Sequence, residues 1–205
     1  MSSPPALLYD TYYHIYNRGT NRENIFVQER NYEHFMRLYA KYIDPVADTF
    51  AYCLLRNHFH LLLRIRAEEE ILIDKATLKV SHLDPAYASR KFSNFFNAYA
   101  KAINAAYGRT GSLFQHPFGR VMVTSDRQFW NVISYIHQNP QKHGFVKDFR
   151  DWKYSSYGLI LSEKPTHVQS TCVMDWFGGR EQYLELHSQW VTEAQSKWFA
   201  EDDVD

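Results

Sequence analysis

Strand-forming and helix-forming patterns of apolar residues alternate along this chain of 205 residues. The run from Tyr12 to Asn17 is rich in strand formers and is followed by Arg18-Gly19, which predicts a strand that ends in a turn. Between Glu29 and Ile43, apolar side chains return every three or four residues until Asp44-Pro45 interrupts them, which predicts a helix. The first two predicted elements are therefore a strand and a helix.

Two further strands are predicted from Thr49 to Leu55 and from His58 to Ile65, because apolar residues dominate both runs. Only Arg56-Asn57 separates them, a connection short enough for a hairpin in which Asn can adopt a positive φ. From Tyr87 to Tyr107, a stripe of aromatic residues at helical spacing predicts a long helix. Gly108 stands where a helix commonly ends on glycine.

A last strand and a helix follow a turn-rich stretch. The run from Arg120 to Thr124 predicts the strand, and Ser125-Asp126-Arg127-Gln128 has the spacing of a capping box that opens a helix. Pro140 is expected to end that helix. The order β-α-β-β-α-β, followed by a helix, is that of a ferredoxin-like α+β sandwich, with an antiparallel sheet and helices packed on one face.

Residues 1–160 form one predicted domain, and residues 161–205 form an acidic C-terminal helical extension with a helix expected from Arg180 to Phe199. Within the domain, residues 67–84 open with charged residues and lack a clear period, so we expect a loop or insertion there. The extension is expected to be a packed appendage, while roles in regulation, in shielding a basic surface or in partner binding stay open.

Charge is unevenly distributed, although the whole chain is neutral. Residues 85–155 carry 10 basic and 3 acidic side chains, whereas residues 156–205 carry 3 basic and 9 acidic ones. A basic segment can attract phosphates locally, although solvated faces of opposite sign would give the same totals. Two cysteines, no charged-then-apolar leader and only short apolar runs predict a cytoplasmic protein with no membrane partner.

The segment Asn57-His58-Phe59-His60 places two histidines in the second strand of the predicted hairpin. Side chains alternate between the faces of a strand, so His58 and His60 project from the same face and can hold one divalent cation. A packing role is the alternative for so short a pattern. Two imidazoles are too few for a structural zinc site, but with Asn139 and water they suit an open, catalytic ion, for which Mg²⁺ or Mn²⁺ fits phosphate chemistry. His14 is interpreted either as a neighbour near the sheet centre or as a core histidine, and is left out of the site.

Tyr135 is the candidate nucleophile, on the helix that the capping box opens. At about 100° per residue it lies roughly 110° from the centre of the apolar stripe, which predicts an accessible side chain. Asn139 lies one turn further along the same flank, so its amide oxygen can approach the same cation. A tyrosine half-buried at the helix edge is the alternative. A metal together with a tyrosine suggests phosphoryl transfer.

Four short stretches of the sequence form an ordered set of motifs. They are Tyr52–Leu63 with its histidine-hydrophobic-histidine strand, Gly111–Phe118, Tyr135–Pro140 and Trp152–Ser156. In this order they resemble the REP-associated tyrosine transposases, a branch of the single-tyrosine HUH transposases, and the resemblance covers residues 10–160. Agreement of four motifs in one order makes a chance match improbable.

The resemblance implies an enzyme that cuts and rejoins single-stranded DNA at or beside hairpin-forming repeats through a covalent 5′-phosphotyrosine intermediate. Tyr135 would be the nucleophile, and His58 and His60 would hold the divalent cation, Mg²⁺ or Mn²⁺, against the scissile phosphate. Asn139 would be a third ligand, although related transposases often have glutamine at that helical place, and Gln138 is the less favoured ligand. The implied partner is single-stranded or hairpin DNA, with association with the nucleoid, and a homodimer stays open.

The surface that would bind this DNA is predicted from basic and aromatic residues. Phosphate contacts are expected from Arg90, Lys91, Lys101, Arg109, Arg120 and Arg127, and base stacking from Phe114, Phe118 and Tyr107. Two rival functions stay open, a non-catalytic nucleic-acid-binding descendant of the fold and a metallohydrolase that attacks phosphodiesters with metal-bound water. Only the transposase activity predicts a covalent adduct on Tyr135.

Overall fold

A four-stranded sheet forms the centre of the structure, a computed structural model that describes residues 5–73, 82–162, 164 and 166–199. Its strands are β1 (Thr11–Arg18), β2 (Ala47–Leu54), β3 (His58–Ile65) and β4 (Gly119–Val123), in the spatial order β2-β3-β1-β4. Each neighbouring pair is antiparallel. The predicted ferredoxin-like α+β class is confirmed.

Helices α1 (Glu29–Tyr42) and α3 (Tyr87–Tyr107) cover one face of the sheet. They enclose the first hydrophobic cluster, in which the ring centroids of Phe35 and Phe95 lie 4.7 Å apart. Phe59 of β3 is buried in this cluster. Because strand side chains alternate, the two histidines that flank Phe59 in the sequence project from the opposite face.

Helix α4 (Asp126–Lys142) and the C-terminal helices lie on that opposite face. The second hydrophobic cluster joins Leu62 of β3 to Val132 and Ile136 of α4. The remaining helices on this side are α5 (Tyr157–Ile160), α6 (Ser170–Phe177), α7 (Arg180–Ser188) and α8 (Glu193–Ser196). The sheet is thus covered by the two helices of the sandwich on one face and by α4 with the C-terminal extension on the other.

Local signals fix the ends of the long helices. Helix α3 spans Tyr87–Tyr107 as predicted and ends on Gly108, whose φ of +62° is a left-handed value that glycine adopts without strain. At the start of α4, the Ser125 side chain accepts a hydrogen bond from the Gln128 N–H at 3.3 Å.

Helix α4 does not end at Pro140, contrary to the prediction. It continues to Lys142, and the His143 N–H still donates to the Asn139 carbonyl oxygen at 3.0 Å. Proline removes its own N–H from the helix and crowds the carbonyl four residues earlier, and burial of residues 132–140 offsets this cost. The extra residues carry the basic end of α4 to the candidate site described below.

Two predicted segments differ from those observed. The segment 67–84, for which we predict a loop or insertion, is not all loop: it contains helix α2 (Glu68–Ile73), whose glutamates lie in the first turn, at the positive end of the helix dipole. Residues 74–81 lie outside the described residues. The helix expected from Arg180 to Phe199 is divided into α7 and α8, because Gln189 takes an extended conformation.

Among the helices of the described residues, none combines the length and apolar character that a membrane span needs.

Candidate active site

Two neighbouring strands bring three histidines to one face of the sheet. His58 and His60 lie on β3, and His14 lies on β1, two residues from the strand partner of His60. The His14 Nε2 and His60 Nδ1 atoms are 3.0 Å apart, and the two rings stack with centroids 5.2 Å apart. The structure therefore places His58 and His60 together and adds His14 to them.

Asn57 in the hairpin sets the protonation of His58. The Asn57 Oδ1 and His58 Nδ1 atoms are 2.7 Å apart, and an amide oxygen only accepts hydrogen bonds, so Nδ1 carries the proton. The Nε2 atom of the neutral ring then keeps its lone pair. That atom is buried and makes no hydrogen bond of good geometry with any described residue. His58 thus presents an imidazole nitrogen in the form that binds a metal ion.

His14 can orient His60 in the same way. One of the two facing nitrogens must donate, and a His60 ring that uses Nε2 as a ligand donates from Nδ1 to His14. The sequence-based prediction omits His14. The signals that would have included it are the alternation of side chains along β1 and the pairing of β1 with β3, and only the second requires the structure.

Burial keeps these imidazoles neutral. It lowers the pKa of His14 and the pKa of His58 to about 3 each, and it lowers the pKa of His60 well below its usual value. At His58 the neighbouring His143 deepens the fall in pKa, whereas the Asn139 side chain opposes it. Neutral rings at pH 7 can serve as ligands without first losing a proton.

Tyr135 is packed against these histidines, with 2% of its surface exposed. Its ring meets the His60 ring edge-on at 5.6 Å and the His14 ring at 6.2 Å between centroids. Phe199 also contacts it, at 4.9 Å between ring centroids. The Tyr135 hydroxyl makes no hydrogen bond with any described residue. An unsatisfied buried hydroxyl costs about 1–3 kcal/mol, so its position calls for a functional explanation.

The prediction that Tyr135 is accessible is wrong for this conformation. Every residue from Val132 to Pro140 is buried, because β2, α7 and α8 all contact α4. The angular position of a side chain around a helix predicts its exposure only where the helix packs against the rest of the protein on one side. The C-terminal helices add a second layer, and their packing on α4 could not be read from the helix itself.

Asn139 approaches the histidines from the same helix. Its Nδ2 group donates to the Tyr135 carbonyl oxygen at 2.9 Å, which leaves Oδ1 as the atom that can reach a cation. Oδ1 is buried and makes no hydrogen bond of good geometry with the described residues. The Gln138 amide is engaged elsewhere, since it donates to the Gln189 carbonyl oxygen at 2.7 Å. The geometry favours Asn139 over Gln138, as the sequence does.

Two imidazole nitrogens and one amide oxygen are thus the donors at hand for a cation. A cavity of about 20 Å³ lies beside His58 and His60, enough for one water-sized group. Within the described ranges, no three His, Cys, Asp or Glu side chains are grouped to hold a metal ion. A cation here would therefore rely on Asn139 and on water or phosphate oxygens to complete its shell.

Two larger cavities adjoin the small one beside His58 and His60. One of about 570 Å³ lies against the loop before β4 and shares Gln115 and Pro117 with the small cavity beside His58 and His60. The small cavity in turn shares Arg18 and His58 with a third, of about 420 Å³, at the end of α4.

The predicted phosphate-binding residues are spread over the molecule. Arg90, Lys91 and Lys101 lie on α3, on the face of the sheet opposite to the histidines. Arg90 and Arg109 form ion pairs with acidic side chains. The structure does not bring the three α3 residues to the histidines.

Phe114 and Phe118 are buried in the first hydrophobic cluster, which contradicts the stacking role predicted for them. Arg120 is half-buried, with its guanidinium carbon 3.8 Å from the centroid of the Phe118 ring. Tyr107 is half-buried and donates a hydrogen bond from its hydroxyl to α1 at 3.0 Å. Arg127 is exposed in the first turn of α4. The presence of an aromatic residue in this stretch therefore does not predict whether its ring lies in the core or on the surface.

Comparison with known proteins bears on this site. No family model matches the sequence. A Haemophilus influenzae protein that carries the provisional name REP-associated tyrosine transposase is 28% identical over 110 residues, which span 54% of this chain and 58% of the relative. The chain therefore matches a little over half of that relative's length.

A solved structure has the same fold. It is described as the REP-associated tyrosine transposase bound to a REP hairpin, and it matches with a TM-score of 0.56 at 16% identity, covering 80% of this chain and 88% of that one. Such a low identity shows the fold alone. Sequence over about half of the chain and fold over four fifths of it confirm the resemblance to the REP-associated tyrosine transposases.

Proposed function

We propose that this chain cuts and rejoins single-stranded DNA at hairpin-forming repeats, with Tyr135 as the nucleophile. The observation that carries the proposal is the Tyr135 hydroxyl, which is buried beside His60 without a hydrogen bond to any described residue. The likeness to the Haemophilus influenzae relative supports the same activity. The hairpin substrate is taken over from the structural neighbour, which is bound to a REP hairpin.

His58, His60 and Asn139 would hold a divalent cation, Mg²⁺ or Mn²⁺. Neutral imidazoles and an amide oxygen suit an ion whose other ligands are water or phosphate oxygens. When bound, such an ion withdraws charge from the phosphate oxygens and favours the phenolate form of a nearby tyrosine. Asn57 and His14 orient the two imidazoles by accepting hydrogen bonds from their Nδ1–H groups.

Cleavage exchanges one phosphate ester for another. The Tyr135 oxygen attacks phosphorus and forms a new P–O bond, while the bond between phosphorus and the 3′-oxygen breaks. The phenol gives up a proton and the departing 3′-oxygen takes one up, so neither water nor a nucleotide is consumed. The 5′-phosphate stays on Tyr135, and attack by a second 3′-hydroxyl reverses the exchange and joins the strands.

Trapping the covalent adduct tests this proposal. Protein incubated with labelled hairpin DNA and Mn²⁺ is expected to give a denaturant-resistant protein–DNA adduct. Tyr135→Phe should abolish the adduct, because phenylalanine has no nucleophile. Tyr42→Phe is the matched control, since Tyr42 is half-buried on α1, on the other side of the sheet, and this variant should form the adduct normally.

Two other results would overturn the proposal. A protein that only binds DNA gives no cleaved product, whichever variant is used. A hydrolase that activates water cuts equally well after Tyr135→Phe and leaves no adduct on the protein.

A further inference from the structure

A cavity of about 420 Å³ opens beside His58 at the end of α4. Three separate parts of the chain line it: the end of β1 with the turn that follows, the β2–β3 hairpin and the end of α4. The side chains that matter are Arg18, Arg22, Asn57, His58, Lys142 and His143. The volume falls in the range of about 300–1,000 Å³ that is typical of ligand sites.

This cavity is basic, although the whole chain is neutral. Arg18, Arg22 and Lys142 bring positive charge to it. A concave surface lined by charge of one sign concentrates the electric field and raises the local concentration of ions of opposite sign. The chemistry of the lining therefore matches an anion.

Backbone contacts fix the turn that carries the two arginines. The Gly19 N–H donates to the Asn57 carbonyl oxygen at 2.8 Å, which ties the turn after β1 to the β2–β3 hairpin. A Cβ on Gly19 would lie 2.1 Å from the Glu23 carbonyl oxygen, so this close turn requires glycine. Arg22 has a φ of +60°, an uncommon left-handed value for a residue with a side chain. Such strain concentrates at ligand-binding positions.

Lys142 connects the cavity to the candidate nucleophile. Its Nζ atom lies 4.8 Å from the centroid of the Tyr135 ring, and the residue also lines the cavity. It reaches this place because α4 continues past Pro140. The basic cavity, the proposed ligand His58 and the Tyr135 ring are thus contiguous.

We propose that the basic cavity is a second phosphate subsite, which binds the phosphodiester next to the scissile one in the DNA strand. The inference rests on the proposed function, because it needs a strand at Tyr135. A phosphate here accepts charge-assisted hydrogen bonds from the guanidinium groups of Arg18 and Arg22. Fixing this phosphate restricts the motion of its neighbour at His58, so the subsite positions the strand and takes no part in the bond exchange.

The subsite is tested by combining an arginine variant of the protein with DNA in which one phosphate has been made uncharged. Binding is measured in the Tyr135→Phe background, which blocks cleavage, with a fluorescent DNA hairpin that carries single-stranded flanks. Flank phosphates are replaced one at a time by uncharged methylphosphonate. Arg22→Gln should weaken binding of unmodified DNA about tenfold and lower the slope of affinity against salt by about one ion.

Two further variants control for folding and for general charge. Arg22→Lys keeps the positive charge and should recover most of the affinity. Arg30→Gln removes an exposed arginine from α1, on the other side of the sheet, and should leave the affinity unchanged. The melting temperature of each variant is recorded alongside.

The subsite predicts that the arginine and phosphate losses fail to add at one flank position and add at every other. Additive losses at all positions overturn the subsite, even where wild-type protein forms the DNA adduct. A uniform loss at all positions, with or without a lower melting temperature, also overturns it. Position-specific coupling without any adduct from wild-type protein supports the subsite as a binding feature and refutes the chemistry proposed for Tyr135.

Discussion

Two clusters of buried histidines lie on the same face of the sheet, and they differ in how their hydrogen bonds are satisfied. One is the candidate site, with His14, His58 and His60. The other joins His137 of α4 to His187 of α7, whose facing nitrogens are 2.8 Å apart. Burial lowers the pKa in both, to about 3 at His58 and to about 4 at His187.

Each hydrogen bond of the second cluster has a defined direction. The Tyr183 carbonyl oxygen only accepts, so His187 donates from Nδ1 at 2.7 Å and offers Nε2 as an acceptor. His137 therefore donates from Nδ1 to His187, and its Nε2 accepts from the Ser156 hydroxyl at 2.8 Å. Ser156 in turn accepts from the Tyr52 N–H at 2.9 Å. The bonds join α7, α4 and β2 and use every nitrogen of both rings.

A lowered pKa therefore does not by itself mark a functional histidine. Desolvation produces the shift wherever an imidazole is buried. The candidate site differs in two ways: the buried Tyr135 hydroxyl has no hydrogen bond to any described residue, and the side chains of His58 and Asn139 interact with each other without a hydrogen bond of good geometry at Nε2 or Oδ1. The first cluster leaves these three atoms without such partners, whereas the second uses all of its ring nitrogens.

The largest expected effect comes from a change in the first cluster. His58→Gln should lower adduct formation at least about 100-fold, close to 3 kcal/mol, because it removes an imidazole ligand of the proposed cation. The free energy of unfolding should change by less than about 1 kcal/mol, since glutamine fills a similar volume and its amide can donate to the Asn57 side chain in place of the ring N–H. Adduct yield and urea unfolding measure the two. Full adduct formation by this variant would show that the reaction does not need His58.

A change in the second cluster should have the opposite profile. His137→Leu leaves the Ser156 hydroxyl and His187 Nε2 without their partner, which should lower the free energy of unfolding by about 2 kcal/mol. Adduct formation per folded molecule should fall far less than in His58→Gln. Urea unfolding and adduct assays on the same sample decide this. Unchanged stability would show that the network does not hold the extension.

The third prediction concerns His14 as a positioning residue. His14→Leu should raise the Mn²⁺ concentration needed for half-maximal adduct formation about tenfold, because the Nδ1–H group of His60 loses its acceptor. His14→Gln offers an amide oxygen in the same region and should recover part of the loss. A shift in maximal yield without a shift in the metal requirement would assign His14 to packing alone.

The smallest effect is the dependence of stability on pH. The pKa of His187 is about 4 in the folded protein and near 6.5 when unfolded, so the unfolded chain binds more protons between these values. The stabilising contribution of the neutral ring is complete above pH 6.5 and is lost as the pH falls towards 4. Between pH 7 and 5.5, His187→Gln should lose about 1 kcal/mol less stability than wild type. Denaturant unfolding at the two pH values measures this, and equal losses would contradict it.

Much of the fold follows from local rules in the sequence. The bounds of α3 were predicted because an aromatic stripe and a terminal glycine both act over a single helix. The common face of His58 and His60 follows from strand alternation alone. The class of the fold follows from the order of the elements, since a β-α-β-β-α-β chain has few ways to form a sheet.

The parts that could not be predicted depend on contacts between distant segments. Tyr135 is buried because α7, α8 and Phe199 pack near it, and nothing in its own helix indicates them. His14 joins the site through strand pairing. Phe114 and Phe118 look like surface aromatics in a turn-rich stretch, yet long-range packing puts them in the core. The sequence therefore indicates which side chains are candidates for the site better than it indicates where they lie in the fold.

Helix α4 carries Tyr135, Asn139 and Lys142 at intervals of four and three residues. At about 1.5 Å per residue, these side chains are spaced about 6 and 5 Å apart along one axis. Their mutual distances are therefore preserved through any rigid movement of the helix, and only their separation from the sheet can vary. In a chimaera that exchanges α4 with a related protein, these three side chains would be replaced together, while the histidines of the sheet would stay unchanged.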